Sequence, residues 1–223
     1  MTTIQQADYC FVVIEEASGR PVELGIRASD DQARDHFPSV WQRLYMGLQS
    51  HHTACGRPAP AWTAWKPWDW CAERKAGYEG RLKFVAWCGD LPVGFINVWP
   101  GFHSPHQPNK DVLYLEHIAA APGNQTTELW NRRFRSVGAT LFAYAVLISH
   151  QQGFDGRLGL HVADPLALSF YRHIDLKCEN SLFLTEITGI AGPTPRGEHD
   201  KSKHYLETTD VGATRWLEDY RRE

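Results

Sequence analysis

Residues 132–154 read RRFRSVGATLFAYAVLISHQQGF, and no other stretch constrains the fold as strongly. Val137, Leu141, Tyr144, Ala145 and Ile148 recur at helical spacing, while Phe142, Val146 and Leu147 widen the apolar surface well beyond one stripe. A helix over about 136–151 must therefore be covered on most sides. The residues at its head do not follow from burial. Arg132, Arg133 and Arg135 crowd in front of it, and Ser136 and Gly138 keep its first turn small. Backbone N–H groups at a helix start lack intrahelical partners and sit at the positive end of the dipole. Small side chains let an anion approach that backbone, and arginines add charge-assisted hydrogen bonds. A pyrophosphate fits this description.

The elements around this helix alternate in a way that suggests a mixed sheet with helices on its faces. Residues 9–15 and 21–27 read as two strands about Ser18-Gly19, and a helix extends from a cap at Ser29-Asp30-Asp31 to about Gln49. A segment broken by proline and glycine follows, with Trp62, Trp65, Trp68 and Trp70 close together and a short helix near 68–77. Residues 82–88 and 91–99 form a hairpin across Gly89-Asp90, then a loop from Pro100 to Asn109 leads to a strand over 112–120. Beyond the buried helix come a strand at 157–162, a short helix at 165–173, a strand at 181–187 and a final helix at 210–221.

Composition narrows the function classes. A net charge of −3 leaves no general electrostatic footprint for nucleic acid. Cys10, Cys55, Cys71, Cys88 and Cys178 have no CxxC spacing, which argues for a reducing cytoplasm over a disulfide framework. No apolar run approaches the roughly 18 residues of a membrane span, and the N-terminus carries no secretion signature. His51-His52 with Cys55, and His103 with His106, invite a metal reading, but neither forms a complete ligand set, so no metal is expected.

The order strand 112–120, Arg133-x-x-Ser136-x-Gly138-Ala139, buried helix, strand 157–162, helix ending in Phe170-Tyr171 resembles the GNAT superfamily of N-acetyltransferases. The acyl-CoA loop of that family reads Gln/Arg-x-x-Gly-x-Gly/Ala. Arg133 and Gly138 match it, and Ser136 replaces the first glycine. Asp164, Ala167 and Tyr171 follow the family's later Asn, Ala, Tyr pattern, with Asp175-Leu176 where a Gly-Phe would stand. The resemblance spans about residues 82–185. The segment GNQTTELWNR separates strand from loop, as in a subset of the family that carries an insertion there.

The resemblance implies a single domain over 1–223 of α+β or α/β class. It would have a GNAT-like, mostly antiparallel central sheet flanked by helices on both faces. An acyl-CoA-binding core at 82–185 would be preceded by N-terminal strands and helices at 1–81 and followed by a C-terminal extension at 190–223. It further implies transfer of an acetyl group from acetyl-CoA, as co-substrate, to a primary amine by direct attack, with neither a nucleophilic cysteine nor a metal. The backbone of Ile118, Ala119 and Ala120 would pair with pantetheine. The N–H groups of Phe134, Arg135, Ser136, Val137, Gly138 and Ala139, with Arg133, would hold the pyrophosphate, and Asp164 belongs to the same cofactor-binding set. Tyr171 would protonate the leaving thiolate. Glu116 and His117 are alternative bases, because neighbours on a strand point to opposite faces and only one meets the cleft; the family pattern favours Glu116. Trp99, Tyr114 and His117 are candidates for contact with the acceptor.

That acceptor is a small-molecule or protein amine, with no nucleic acid and no membrane as partner. The tryptophan cluster reads as the core of the N-terminal region or as a wall of the acceptor site. The tail from Ala191 completes a homodimer or covers the cleft. A different class of function also fits, a catalytically silent acyl-CoA- or nucleotide-binding sensor, supported by Ser136 and the missing Gly-Phe. A toxin acetylating charged transfer RNA is a third reading, which the acidic balance opposes.

Overall fold

The computed structural model describes residues 10–30, 35, 37–59, 80–162, 165–176, 182–193 and 203–221. Its strands are β1 (Cys10–Glu15), β2 (Pro21–Ala28), β3 (Leu82–Cys88), β4 (Leu91–His103), β5 (Asp111–Ala120), β6 (Phe134–Arg135), β7 (Leu158–His161) and β8 (Tyr205–Glu207). The helices are α1 (Gln42–Ala54), preceded by a π-helical turn over 37–41, then α2 (Val137–Gln151), α3 (Pro165–Asp175) and α4 (Asp210–Tyr220). Neighbouring strands hydrogen-bond in the order β6-β1-β2-β3-β4-β5-β7-β8. The pairs β1–β2, β1–β6, β2–β3 and β7–β8 are antiparallel, and β5–β7 is parallel. The expected mixed, mostly antiparallel sheet with helices is thus present. The tryptophan cluster at 62–70 and the short helix near 68–77 lie outside the described residues.

The chain forms two compact units, one of 1–74, 83–97 and 117–141, the other of 75–82, 98–116 and 142–223. In the first unit, β4 shows how a strand serves two faces. Phe95 is fully buried in a cluster with Trp41, Tyr45, Val85, Trp87 and Ala121, so α1 covers that face. Its neighbour Gly94 points the other way. A Cβ there would lie 2.8 Å from Leu141 Cδ1 and 3.1 Å from Val137 Cγ1, so the start of α2 rests directly on the strand. Helices therefore pack on both faces of this part of the sheet. The Trp41 indole N–H donates to Pro92 O at 3.3 Å, which gives a buried polar group its partner.

In the second unit, the aromatic rings of Phe142, Tyr171, Phe183, Trp216 and Tyr220 form one connected cluster with centroid spacings of 5.1–6.2 Å. A polar network lies under β7 and β8. Glu207 is fully buried and accepts hydrogen bonds from the hydroxyls of Ser104 (2.7 Å) and Tyr205 (3.0 Å). Gly159 on β7 leaves room for that arrangement, since a Cβ there would meet the Tyr205 hydroxyl at 2.3 Å.

Three elements differ from expectation. β4 runs through Pro100 and Gly101 to His103, where a loop was expected; Gly101 takes φ of +80°, so the strand continues past its breaker through a local kink. The strand expected over 181–187 is reduced to isolated bridges, Phe183 to Thr208 and Ile187 to Tyr205. The tail instead supplies β8, paired with β7. Among the described residues, no helix is long and apolar enough to cross a membrane.

Candidate active site

The head of α2 is built by β6, two residues that pair with β1 through Ile14–Arg135 and Glu15–Phe134. Ser136 then turns the chain into the helix with φ of +70°, a left-handed conformation. Its carbonyl accepts from Thr140 N at 2.9 Å, which makes Thr140 the first intrahelical donor. The N–H groups of Val137, Gly138 and Ala139 precede that donor and carry no intrahelical bond. Gly138 and Ala139 are half-buried. The Phe134 N–H is engaged elsewhere, donating to Asn124 Oδ1 at 3.2 Å.

The arginines divide their work. Arg135 Nε and Arg132 Nε both reach Glu16 Oε2, at 2.9 and 3.2 Å. Arg133 lies over the Phe134 ring, its Cζ 5.1 Å from the centroid. Three cations against one carboxylate leave the head of the helix positive. Ser136 explains why small size alone was an incomplete criterion at this position. An L-residue in left-handed geometry costs about 1–2 kcal/mol, and glycine avoids it. Ser136→Gly is therefore expected to raise stability by about 0.5–1 kcal/mol, seen as a melting temperature roughly 1–4 °C higher by calorimetry.

Pairing of β5 with β7 is confined to Leu113–Leu158 and Tyr114–Gly159. Ile118, Ala119 and Ala120, beyond that ladder, are half-buried. His117 faces Asn97, with Asn97 Nδ2 3.4 Å from the ring Nδ1. Glu116 faces away from His117 and forms an ion pair with Arg81. Both side chains are enclosed, with 10% and 1% exposure respectively. The Arg81 guanidinium also lies over the half-buried Trp99, 5.7 Å from its ring centroid. Arg81 carried no signal in the sequence, since 35 positions separate it from Glu116 and nothing in its own neighbourhood is periodic.

Tyr114 is 3% exposed, and its hydroxyl lies 2.7 Å from His161 Nδ1. The other ring nitrogen, Nε2, lies 2.9 Å from the carbonyl of Ile190. A carbonyl only accepts, so Nε2 carries the proton and Tyr114 donates to Nδ1. The Tyr114 hydroxyl is thus held by an internal hydrogen bond. Tyr171 is 4% exposed within the aromatic cluster, and burial pushes its hydroxyl well above the ordinary phenol value. It stays protonated throughout the physiological range, the form a proton donor needs. Asp164 lies outside the described residues. Asp175, at the expected Gly-Phe position, accepts from the backbone of Leu182 (2.6 Å) and Phe183 (3.3 Å) and so ties the chain beyond α3 back to its end.

The insertion after β5 is closed at its base. Arg133 N donates to Gly123 O at 2.9 Å, and Asn124 bonds both Phe134 N and, through Nδ2, Val93 O at 2.9 Å. At its tip Glu128 receives Arg57 Nη2 (2.6 Å), His52 Nε2 (3.0 Å) and His51 Nε2 (3.2 Å). Desolvation alone would push the Glu128 carboxyl up, but Arg57 and the two histidines hold it below its ordinary value. His51 and His52 are thus drawn to a carboxylate clamp; among the described residues no group of three or more ligating side chains is arranged to hold a metal.

No family model and no curated protein matches the chain. Solved structures do. An acetyltransferase from Thermus thermophilus is 16% identical, with 82% of this chain and 95% of that one covered at a TM-score of 0.43. The PaiA N-acetyltransferase from Thermoplasma acidophilum, in complex with coenzyme A, is 16% identical over 83% and 98% at 0.42. An uncharacterized protein from Bacillus halodurans is 10% identical over 96% of each chain at 0.47. The described chain itself runs from β5 through the loop at Arg133–Gly138, buried α2 and β7 to α3, the order on which the resemblance rests.

Proposed function

We propose that the protein is an acetyl-CoA-dependent N-acetyltransferase of GNAT type. The observation that carries this reading is the head of α2, with three N–H groups in sequence free of intrahelical bonds, small residues at 136, 138 and 139, and arginines beside them. Val137, Gly138 and Ala139, with Arg133, would hold a pyrophosphate. The donor supplies an activated acetyl group as its thioester. Glu116 would take one proton from the acceptor ammonium. The amine nitrogen then forms the C–N bond as the C–S bond breaks, and its second proton ends on sulfur, delivered by Tyr171. Ile118, Ala119 and Ala120 would offer backbone groups to the pantetheine arm.

A silent binder of acyl-CoA is the second reading. The engagement of Glu116 by Arg81 and the burial of Tyr171 favour it. Calorimetric titration with acetyl-CoA, on wild type and on Gly138→Trp, tests the shared site. Micromolar binding lost by a factor of at least about 100 in the folded variant is the expected result. Absence of binding to acetyl-CoA and to longer acyl-CoAs would overturn both readings. Binding without turnover on any amine would leave the silent binder.

A further inference from the structure

We propose that the sheet edge beside α3 docks an extended peptide carrying a basic side chain. The site uses none of the residues assigned to acetyl transfer and stands independently of that reading.

The segment 182–187 joins β8 through two bridges, Phe183 to Thr208 and Ile187 to Tyr205. Four steps along the segment thus match three along β8, so one residue is extra, which is a β-bulge. Thr185 and Glu186 share the place opposite Leu206. The ladder holds on either side, with Leu184 N donating to Glu207 O at 2.8 Å and Ile187 N to Tyr205 O at 3.2 Å. Between these bonds, the backbone N–H and C=O groups of Thr185 and Glu186 have no partner among the described residues. Further back along the segment, the N–H groups are satisfied from α3. Asp175 Oδ1 accepts from Leu182 N at 2.6 Å and from Phe183 N at 3.3 Å. The helix ties down the segment at its own C-terminal end and leaves it unpaired at the bulge.

A hollow of about 300 Å³ lies there. Leu168, Arg172 and Asp175 line it from α3 at helical spacing, Thr185 and Glu186 line it from the bulge, and Leu206 from β8. Unpaired backbone donors and acceptors side by side are what an added strand satisfies, because its own C=O and N–H groups alternate in the same way. A simple ion or an apolar molecule would leave one kind unmet. Charge then selects the side chain. The lining holds two carboxylates, Asp175 and Glu186, against one guanidinium, Arg172. Asp175 also ends α3, where the helix dipole favours a cation. His204 Nδ1 engages Glu186 Oε1. Among the described residues Glu186 Oε2 has only Arg172 Nη2, at 3.5 Å, too long for a good hydrogen bond. The Arg172 side chain is 66% exposed, so it can yield that oxygen at little cost. A long basic side chain, its stem against Leu168 and Leu206, would bring its head to Glu186 Oε2.

The test uses three blocked pentapeptides, acetyl-Thr-Val-Arg-Val-Thr-amide and its counterparts with methionine or glutamate at the centre. Arginine offers no primary amine, so its binding does not report an acetyl acceptor. The arginine peptide is expected to bind at roughly 0.1–1 mM by calorimetry, at least about tenfold tighter than the other two. Amide chemical shifts should move first at Thr185, Glu186 and Leu206. One version N-methylated on both valines and one on the arginine block the two edges of the peptide strand in turn, and at least one should lose about tenfold. Thr185→Pro removes an N–H for which the fold has no acceptor and should weaken binding at least about tenfold. Glu186→Gln should abolish the preference for arginine over methionine, and it serves if the proline variant does not fold. No saturable binding by any of the three, or equal affinity for the arginine and glutamate peptides, would overturn the proposal. So would displacement of the peptide by acetyl-CoA, which would place it at the head of α2. A dimer in sedimentation that Thr185→Pro turns into a monomer, with no peptide bound, would give the edge to a second copy of the chain instead.

Discussion

Gly159→Ala is expected to lower stability by about 3 kcal/mol, a fall of roughly 6–12 °C in the melting temperature of a chain this size. The added methyl would lie 2.3 Å from the Tyr205 hydroxyl and 3.0 Å from Val112 Cγ2. Neither can step aside at little cost. Tyr205 is fully buried, and its hydroxyl is held by Glu207, which is itself fully buried and bound by Ser104. Moving the ring breaks a hydrogen bond to a carboxylate, a loss of about 1.5–3 kcal/mol, in addition to the overpacking. Gly123→Ala is the control. Nothing lies within 4 Å of its Cβ position, so thermal or urea unfolding should move by no more than about 0.5 kcal/mol. Similar shifts for the two variants would mean that the Tyr205 ring is not held as described.

Glu116→Gln is expected to lower kcat by about 10²–10⁴, with acetyl-CoA affinity unchanged. The amide keeps the shape and one acceptor oxygen but takes up no proton from the acceptor. It also removes the counter-charge of a guanidinium that is 1% exposed. Breaking a buried pair from one side costs about 3–5 kcal/mol, and the retained oxygen should keep the loss near the lower end. Both effects are read from the same sample, turnover at a temperature where far-ultraviolet dichroism reports a folded variant, and the melting temperature by calorimetry. A large stability loss with kcat intact would make the pair purely structural and remove Glu116 from the chemistry.

Helix α2 was legible because its apolar period is long and unbroken, and the longer strands around it followed from runs bounded by turn residues. Two kinds of feature were not legible. Short elements carry too few residues for a period. β6 is two residues and β8 is three, and the third residue of β8 is a glutamate that a pattern reading puts at the surface. Glu207 is buried only because Ser104, 103 positions earlier, and Tyr205 supply hydroxyls to it. Breakers mislead in the opposite direction. Pro100 and Gly101 ended the expected strand at Trp99, yet β4 absorbs them and continues to His103. The candidate site divides along the same line. Its helix head was readable from residue type and spacing. The commitments of its side chains were not, because Arg135 to Glu16, Arg81 to Glu116 and Phe134 N–H to Asn124 are all contacts made by folding.

The closed base of the segment after β5 has a consequence for how such chains diversify. Gly123 and Arg133, and Asn124 and Phe134, meet across hydrogen bonds, so the backbone leaves and re-enters at nearly one point. Whatever hangs between those points is an Ω-loop on a stem, and the entropy of closing such a loop grows only slowly with its length. The stretch from Gln125 to Arg132 can therefore be lengthened, shortened or exchanged while the stem hands the chain to α2 unchanged. Glu128, pinned to Arg57, His51 and His52, is what the present occupant adds. The join between β5 and α2 is a port at which new surface can be grafted beside the turn at the head of α2 without disturbing it.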